Sequence, residues 1–129
     1  MLDHIGFAVS DLARSRRFYE AALAPLGITL IIEIGPGETE SRGTALGFGV
    51  ENNPFFWIGD NERVGEGTHI AFRAVTRAEV DAFHAAALAA GGRDTGAPGL
   101  RPHYGPTYYA AFVHDPDGIN VEAVCHREE

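Results

Sequence analysis

Lysine is absent from this chain: all ten basic residues are arginine, set against eighteen acidic ones, for a formal net charge of −8. Without a basic stripe there is no electrostatic footprint for a nucleic-acid backbone or an anionic membrane surface, so neither is expected as a partner. Cysteine is nearly absent too. Cys125 stands alone, which excludes an internal disulfide, fits a reducing compartment and predicts a cytoplasmic setting. No apolar run approaches the ~20 residues of a membrane-spanning helix, and the first residues read as a strand bearing a histidine rather than as a signal peptide. What remains is an ordinary globular composition. With 45% hydrophobic residues over 129 positions, one domain with a real core is expected, burying roughly 65–70% of its unfolded surface.

The chain repeats itself. His4-Ile5-Gly6-Phe7 returns 65 residues later as His69-Ile70-Ala71-Phe72. At the same offset Phe18, Ala21, Ala22, Leu23 and Ala24 return as Phe83, Ala86, Ala87, Leu88 and Ala89, and Gly27 falls on Gly92. Self-similarity at that period means two copies of one supersecondary unit. A histidine opens each copy, at equivalent positions.

In the first copy, Leu2 to Val9 predicts a strand with Ile5, Phe7 and Val9 on one side and His4, Gly6 and Ala8 on the other. Ser10 is the expected N-cap of a helix facing inward through Leu12, Ser15, Phe18, Tyr19, Ala22 and Leu26, and ended by Pro25 and Gly27. Strands are predicted at Ile28 to Ile34, Thr44 to Val50 and Phe55 to Gly59, with a loop at Gly35 to Gly43 and a turn at Asn52-Asn53-Pro54. Asp60 to Gly67 reads as a polar linker. The second copy begins with a strand at Thr68 to Ala74. A capping box, Thr76-Arg77-Ala78-Glu79, then opens a helix with Val80, Phe83, Ala87 and Leu88 inward, ended by Gly91-Gly92. Gly96 to Pro106 reads as a long proline- and glycine-rich loop. Tyr108 to His114 and Ile119 to His126 are the last strands, joined by the turn Asp115-Pro116-Asp117-Gly118. The fold class is therefore α+β. One domain over residues 1–129 is expected, built from βαβββ modules 1–60 and 67–129 whose curved mixed sheets enclose a cup.

Strand parity singles out candidate chemistry. In the final strand Val121, Ala123 and Cys125 form the more apolar side and are expected against the second helix, which sends Glu122 to the side of His69. Either histidine alone is ordinarily a half-buried strand residue, and a lone Glu122 a solvated one. Equivalent histidines heading both repeats, with a carboxylate on the same side, instead predict that His4, His69 and Glu122 form a facial triad on a divalent metal with open positions. Trp57 reads either as a wall for a stacked substrate or as a core tryptophan. Arg101, His103 and Tyr104, on the long loop, read as groups that clamp an anionic oxygen or relay a proton, or as loop decoration. Cys125 is expected to be a small structural hydrophobe, and His84 and His114 surface residues. His126 shares the parity of Glu122, and Glu38, Glu40, Glu62 and Glu66 are expected to be solvated loop charges.

With His4 in HIGFAVSDLxxSxxFY, His69 in GTHIAF and Glu122 in DPDGxNxEAV, the whole chain resembles the vicinal oxygen chelate superfamily of glyoxalases, bleomycin resistance proteins and extradiol dioxygenases. It is most similar to a bacterial single-domain, glyoxalase-like branch through the run AAGGRDTGAPGLRPHYGPTYYAAFVHDPDGINVEAVCH. The resemblance implies paired βαβββ modules and a metal held at His4, His69 and Glu122, but no single reaction, since the fold hosts many. Glyoxalase I resembles this layout but carries a further glutamate where the repeat offset puts Trp57, so lactoylglutathione lyase activity is not expected. Fosfomycin-modifying thiol transferases carry a threonine at the place of Gly6. Bleomycin-binding proteins generally lack the triad. Extradiol dioxygenases add an acid/base residue, for which His103, Tyr104, Tyr108 and Tyr109 are the candidates; His103, Tyr104 and Tyr109 are taken as the catalytic set, with Trp57 and Arg101 binding substrate.

The expected function is a metal-dependent lyase, dioxygenase or transferase holding a small molecule by two adjacent oxygens, with Fe2+, Mn2+, Ni2+, Zn2+ and Mg2+ all compatible. The alternative is a metal-free protein that captures a small molecule or antibiotic in the cup without turnover. Family members of this size imply a two-fold homodimer, with His4 from one chain and His69 and Glu122 from the other.

Overall fold

A computed structural model of the chain describes residues 2–39, 41–65 and 68–129. Glu40 and Glu66, expected as loop charges, and Gly67, the end of the expected linker, lie outside the described residues. Two βαβββ units follow one another. The first is β1 (Ile5–Ala8), α1 (Leu12–Leu23), β2 (Thr29–Ile34), β3 (Ala45–Val50) and β4 (Asn53–Gly59). The second is β5 (His69–Arg73), α2 (Arg77–Ala89), β6 (Arg93–Leu100), β7 (Tyr109–His114) and β8 (Asn120–Cys125). Each unit is a four-stranded mixed sheet, ordered β1-β4-β3-β2 and β5-β8-β7-β6, in which the first strand pairs in parallel with the last. No helix among the described residues is long and apolar enough to cross a membrane.

Local chemistry explains most element ends. Thr76 and Glu79 form the reciprocal capping box at the start of α2. At the start of α1 the cap moves by one residue. Asp11 accepts from the Arg14 amide, and Ser10 instead bonds Asp117 of the other unit through both its amide and its hydroxyl. The β3–β4 turn also shifts, centring on Glu51 and Asn52, both at positive φ (51° and 62°) with Val50 opposite Asn53. That is the left-handed pair that twists with a two-residue hairpin, and it frees Asn53 and Pro54 to join the strand. Leu88, expected inward, is exposed.

Gly96 to Leu100, read as the start of a loop, belongs to strand β6. Its glycines and Pro98 disguise it. As an outer strand it has no neighbour beyond β7 among the described residues, so a proline without an N–H is tolerated, and the pairing skips at Asp94/Gly96 and Gly96/Gly99.

One apolar core runs through both units. Phe18, Tyr19, Phe48 and Phe56 of the first meet Phe72, Val80, Phe83 and Val121 of the second. Polar ties cross the same boundary. The buried Tyr19 hydroxyl donates to Asp115 Oδ2 at 2.7 Å, and Asp115 Oδ1 accepts from the amides of Asp117 and Ile119. Burial, followed by the Asp115 charge, holds the Tyr19 hydroxyl well above its ordinary pKa. The folded chain therefore keeps this proton at a pH where the unfolded chain has lost it. The resulting stability is complete below pH ~10 and declines as pH rises beyond it. Urea midpoints of the wild type are expected to fall more steeply above pH ~10 than those of Tyr19→Phe, which lacks that proton. Parallel pH profiles for the two proteins would refute the assignment.

Candidate functional site

The site is built on the sheet faces turned away from the helices. Phe7 packs its ring edge-on to Tyr19 of α1, with ring centres 6.3 Å apart, so its strand neighbours His4 and Gly6 face the other way. In β8, Val121, Ala123 and Cys125 are fully buried and Glu122 points to the face of His69. The register also relates the two halves. In β1–β4 Gly6 lies opposite Trp57, and in β5–β8 Ala71 lies opposite Glu122. Trp57 therefore occupies, in the first unit, the position that Glu122 occupies in the second.

The second half-site is tightly organised. His69 Nδ1 lies 3.0 Å from the carbonyl oxygen of Asn120, and Nε2 lies 3.1 Å from Glu122 Oε2. A carbonyl only accepts, so Nδ1 donates to it, and the two contacts hold the ring with Nε2 facing the carboxylate. Glu122 is 2% exposed, and its other oxygen accepts from the Tyr108 hydroxyl. Burial first, then that hydrogen bond and the Glu122 charge, push the Tyr108 pKa up to about 12. The donor set suits a divalent cation. Nε2 and a buried carboxylate oxygen face each other 3.1 Å apart, and a backbone carbonyl on the far nitrogen fixes the ring, as it does for metal-bound histidines.

In the first half-site His4 Nδ1 bonds Asp3 Oδ1 at 2.7 Å, and the ring is exposed. The Trp57 indole lies over Gly47, where an added Cβ would stand 2.8 Å from Cη2, and with His4, Gly6, Ile34 and Ala45 it borders an open pocket. Glu62 borders a second hollow beside Trp57. His4 and His69 both border a pocket of about 320 Å³ along the seam between β1 and β5. Among the described residues, however, no three of His, Cys, Asp and Glu converge to hold a metal within one chain. His69 and Glu122 are brought together. His4 does not complete a triad with them.

The other candidates separate by face. Tyr109, expected to be catalytic, lies on the helix side: its hydroxyl donates to Asp81 of α2 at 2.6 Å, and the Arg77 guanidinium sits 5.1 Å from its ring centre. Tyr109 pairs with Cys125 and Phe112 with Glu122, so alternation puts Tyr108, not Tyr109, on the site face. His103, Tyr104 and Tyr108 form a row of tilted and edge-on rings, with centres 4.1 and 5.3 Å apart, that reaches Glu122 through Tyr108. The exposed His126 ring meets Tyr108 edge-on at 5.1 Å. Arg101 lies over the Phe112 ring, which also stacks on His69. His114, expected on the surface, is half-buried and accepts from Arg93 at 2.8 Å. Cys125 is fully buried, and His84 pairs with Asp94 at 3.0 Å. Sequence reasoning missed Asn120, whose contribution is a backbone carbonyl, and Phe112, which only the cross-strand register places.

The family model of the glyoxalase/bleomycin resistance protein/dioxygenase superfamily matches residues 1–123. A sequence comparison with curated proteins found no match. Among solved structures, a glyoxalase/bleomycin resistance protein from Albidiferax ferrireducens T118 is 29% identical with a TM-score of 0.72, and 97% of each chain is covered. Glyoxalase I from Zea mays is 28% identical with a TM-score of 0.68; 99% of this chain matches 45% of that longer one. A glyoxylase/bleomycin resistance protein/dioxygenase domain from Frankia sp. EAN1pec shares the fold at 19% identity, with a TM-score of 0.74 and 98% of each chain covered.

Proposed function

Since the chain belongs to the glyoxalase/bleomycin resistance protein/dioxygenase superfamily, we propose that it is a metal-dependent enzyme holding a small substrate by two adjacent oxygens at His4, His69 and Glu122. The observation that carries this is Nε2 of His69 facing the buried Glu122 carboxylate at 3.1 Å, with Nδ1 held by a backbone carbonyl, a nitrogen–oxygen pair of the kind that binds a divalent cation. When bound, a divalent ion supplies a Lewis acid that stabilises an oxyanion on the substrate. Fe2+, Mn2+, Ni2+, Zn2+ and Mg2+ all suit these ligands. Tyr108 holds Glu122 in orientation, and His103 and Tyr104, packed against it, are the groups taken to move a proton. Trp57 forms the apolar wall opposite.

His4 reaches the site from a second chain in this reading. Two features support a homodimer: β1 and β5 each lie at an outer edge of their sheets, and Leu2 and Ile5 beside His4 are exposed. Each of two equivalent sites then takes His4 from one protomer and His69 with Glu122 from its partner. A cytoplasmic setting accords with the single buried cysteine. The incomplete triad within one chain is what favours the second reading, a metal-free protein that captures a small molecule.

Elemental analysis of protein purified without added metal separates the two. The wild type is expected to hold about one divalent ion per chain, and His69→Ala none; wild-type stoichiometry in His69→Ala would sink the triad. Because Trp57 supplies no carboxylate, the metal-loaded protein is also expected not to isomerise the methylglyoxal–glutathione hemithioacetal. Robust turnover with nickel or zinc would require another base, with Asp60 or His103 the candidates.

A further inference from the structure

We propose that the cavity beside His69, floored by Phe112 and presided over by Arg101, binds an oxyanion, and that the substrate therefore carries a carboxylate or phosphate arm besides the two oxygens at the reacting end. The assignment of that arm to the substrate rests on the reading of His69 and Glu122 given above.

The cavity, about 320 Å³, is lined by Thr95, Arg101, His103, Tyr104, His114 and Asn120 around the Phe112 ring, with no carboxylate among them. Arg101 is held, not free. Its Nη1 donates to the Gly99 carbonyl at 2.9 Å and its Nη2 to the Ala97 carbonyl at 2.8 Å, while Cζ rests 5.4 Å from the centre of the Phe112 ring. Two glycines make the bed for it. A Cβ at Gly96 would stand 3.2 Å from Nη2 and 2.9 Å from Phe112 Cδ1, and one at Gly99 would stand 3.2 Å from Nη1. The irregular, glycine-rich β6 therefore folds the guanidinium back over the site face.

That placement leaves a half-buried cation on an aromatic ring, paired with no carboxylate among the described residues. Its remaining N–H groups are the fork that suits a carboxylate or phosphate. His114 also lines this space, and because Arg93 donates to its Nδ1, Nε2 is the ring nitrogen left to donate. Asn120 Oδ1 is buried without a partner among the described residues, which suits a hydroxyl on the bound molecule. Phe112 ties this cavity to the reacting end, since the His69 ring stacks on it with centres 6.4 Å apart.

The test is calorimetric titration of the full chain with inorganic phosphate and, separately, with succinate, before and after chelator treatment, alongside elemental analysis of the same samples. The wild type is expected to bind one of the two probes, and which one names the arm. Binding is expected to survive chelation. Arg101→Gln is expected to weaken it by about 10- to 100-fold, the value of a charge-assisted hydrogen bond, with metal content unchanged. Arg101→Lys, which keeps the charge and loses the fork, is expected to fall between, and it serves if Arg101→Gln does not fold. Undiminished binding in these variants, no binding of either probe at concentrations on the order of 10 mM, or binding lost on chelation would each overturn the proposal. A failure of the metal reading shows instead in the elemental analysis.

Discussion

A mixture of His4→Ala and Glu122→Ala protomers is expected to recover metal binding that neither variant has alone. Each homodimeric variant lacks one ligand in both of its sites. A mixed dimer holds one doubly defective site and one intact site, built from the unaltered His4 of one protomer and the unaltered His69 and Glu122 of the other. After random re-association at equal amounts, about a quarter of all sites should bind a divalent ion. The expectation follows from geometry: His69 and Glu122 stand 3.1 Å apart in one chain, whereas His4 does not converge with them. Division of one ligand set between two chains also predicts that metal content falls when the dimer is diluted into protomers. Mixed variants that never regain metal, or a chain that stays monomeric at micromolar concentration while holding metal, would rule out the shared site.

Phe56→Ala is expected to cost about 3–5 kcal/mol, a large part of the ~5–15 kcal/mol that holds a domain of this size together. Phe56 has no exposed surface. Its ring lies 5.5 Å from that of Phe7, 5.0 Å from Tyr19 and 5.8 Å from Phe48, all of the first unit. It also meets Phe72 of the second unit edge-on at 5.1 Å. Truncation thus opens a cavity where the two sheets share their core, and neither half can close it without moving against the other. Urea unfolding at a fixed protomer concentration measures the loss. A cost under ~1.5 kcal/mol would mean that the units do not depend on each other for packing.

Much of this protein is legible in its sequence, because strand alternation is a local rule. The period of two puts Phe7 toward α1 and His4 away from it, and it puts Glu122 opposite in direction to Val121 and Ala123. The repeat offset alone identifies Trp57 as the counterpart of Glu122, and the paired registers Gly6–Trp57 and Ala71–Glu122 agree with it. The capping box at Thr76 and the turn at Gly118, with φ of 83°, are likewise local chemistry. Strand β6 escapes because Gly96, Pro98 and Gly99 read as loop, and only the outer position in the sheet makes them tolerable.

Tyr108 and Tyr109 cannot be told apart in the same way. Adjacent residues on a strand face opposite sides, but which side is inward depends on the register with β8, a contact between distant residues. His114 and Phe112 gain their places by the same route. By itself, then, the sequence determined the fold class, the two modules and the facing of the three candidate ligands, because each follows from side-chain period and turn chemistry along a few neighbouring residues. Only the tertiary structure decided that His69 and Glu122 meet while His4 stands apart, that Tyr108 braces Glu122, and that Arg101 lies over Phe112, because each depends on how two sheets and an irregular outer strand pack across long stretches of chain.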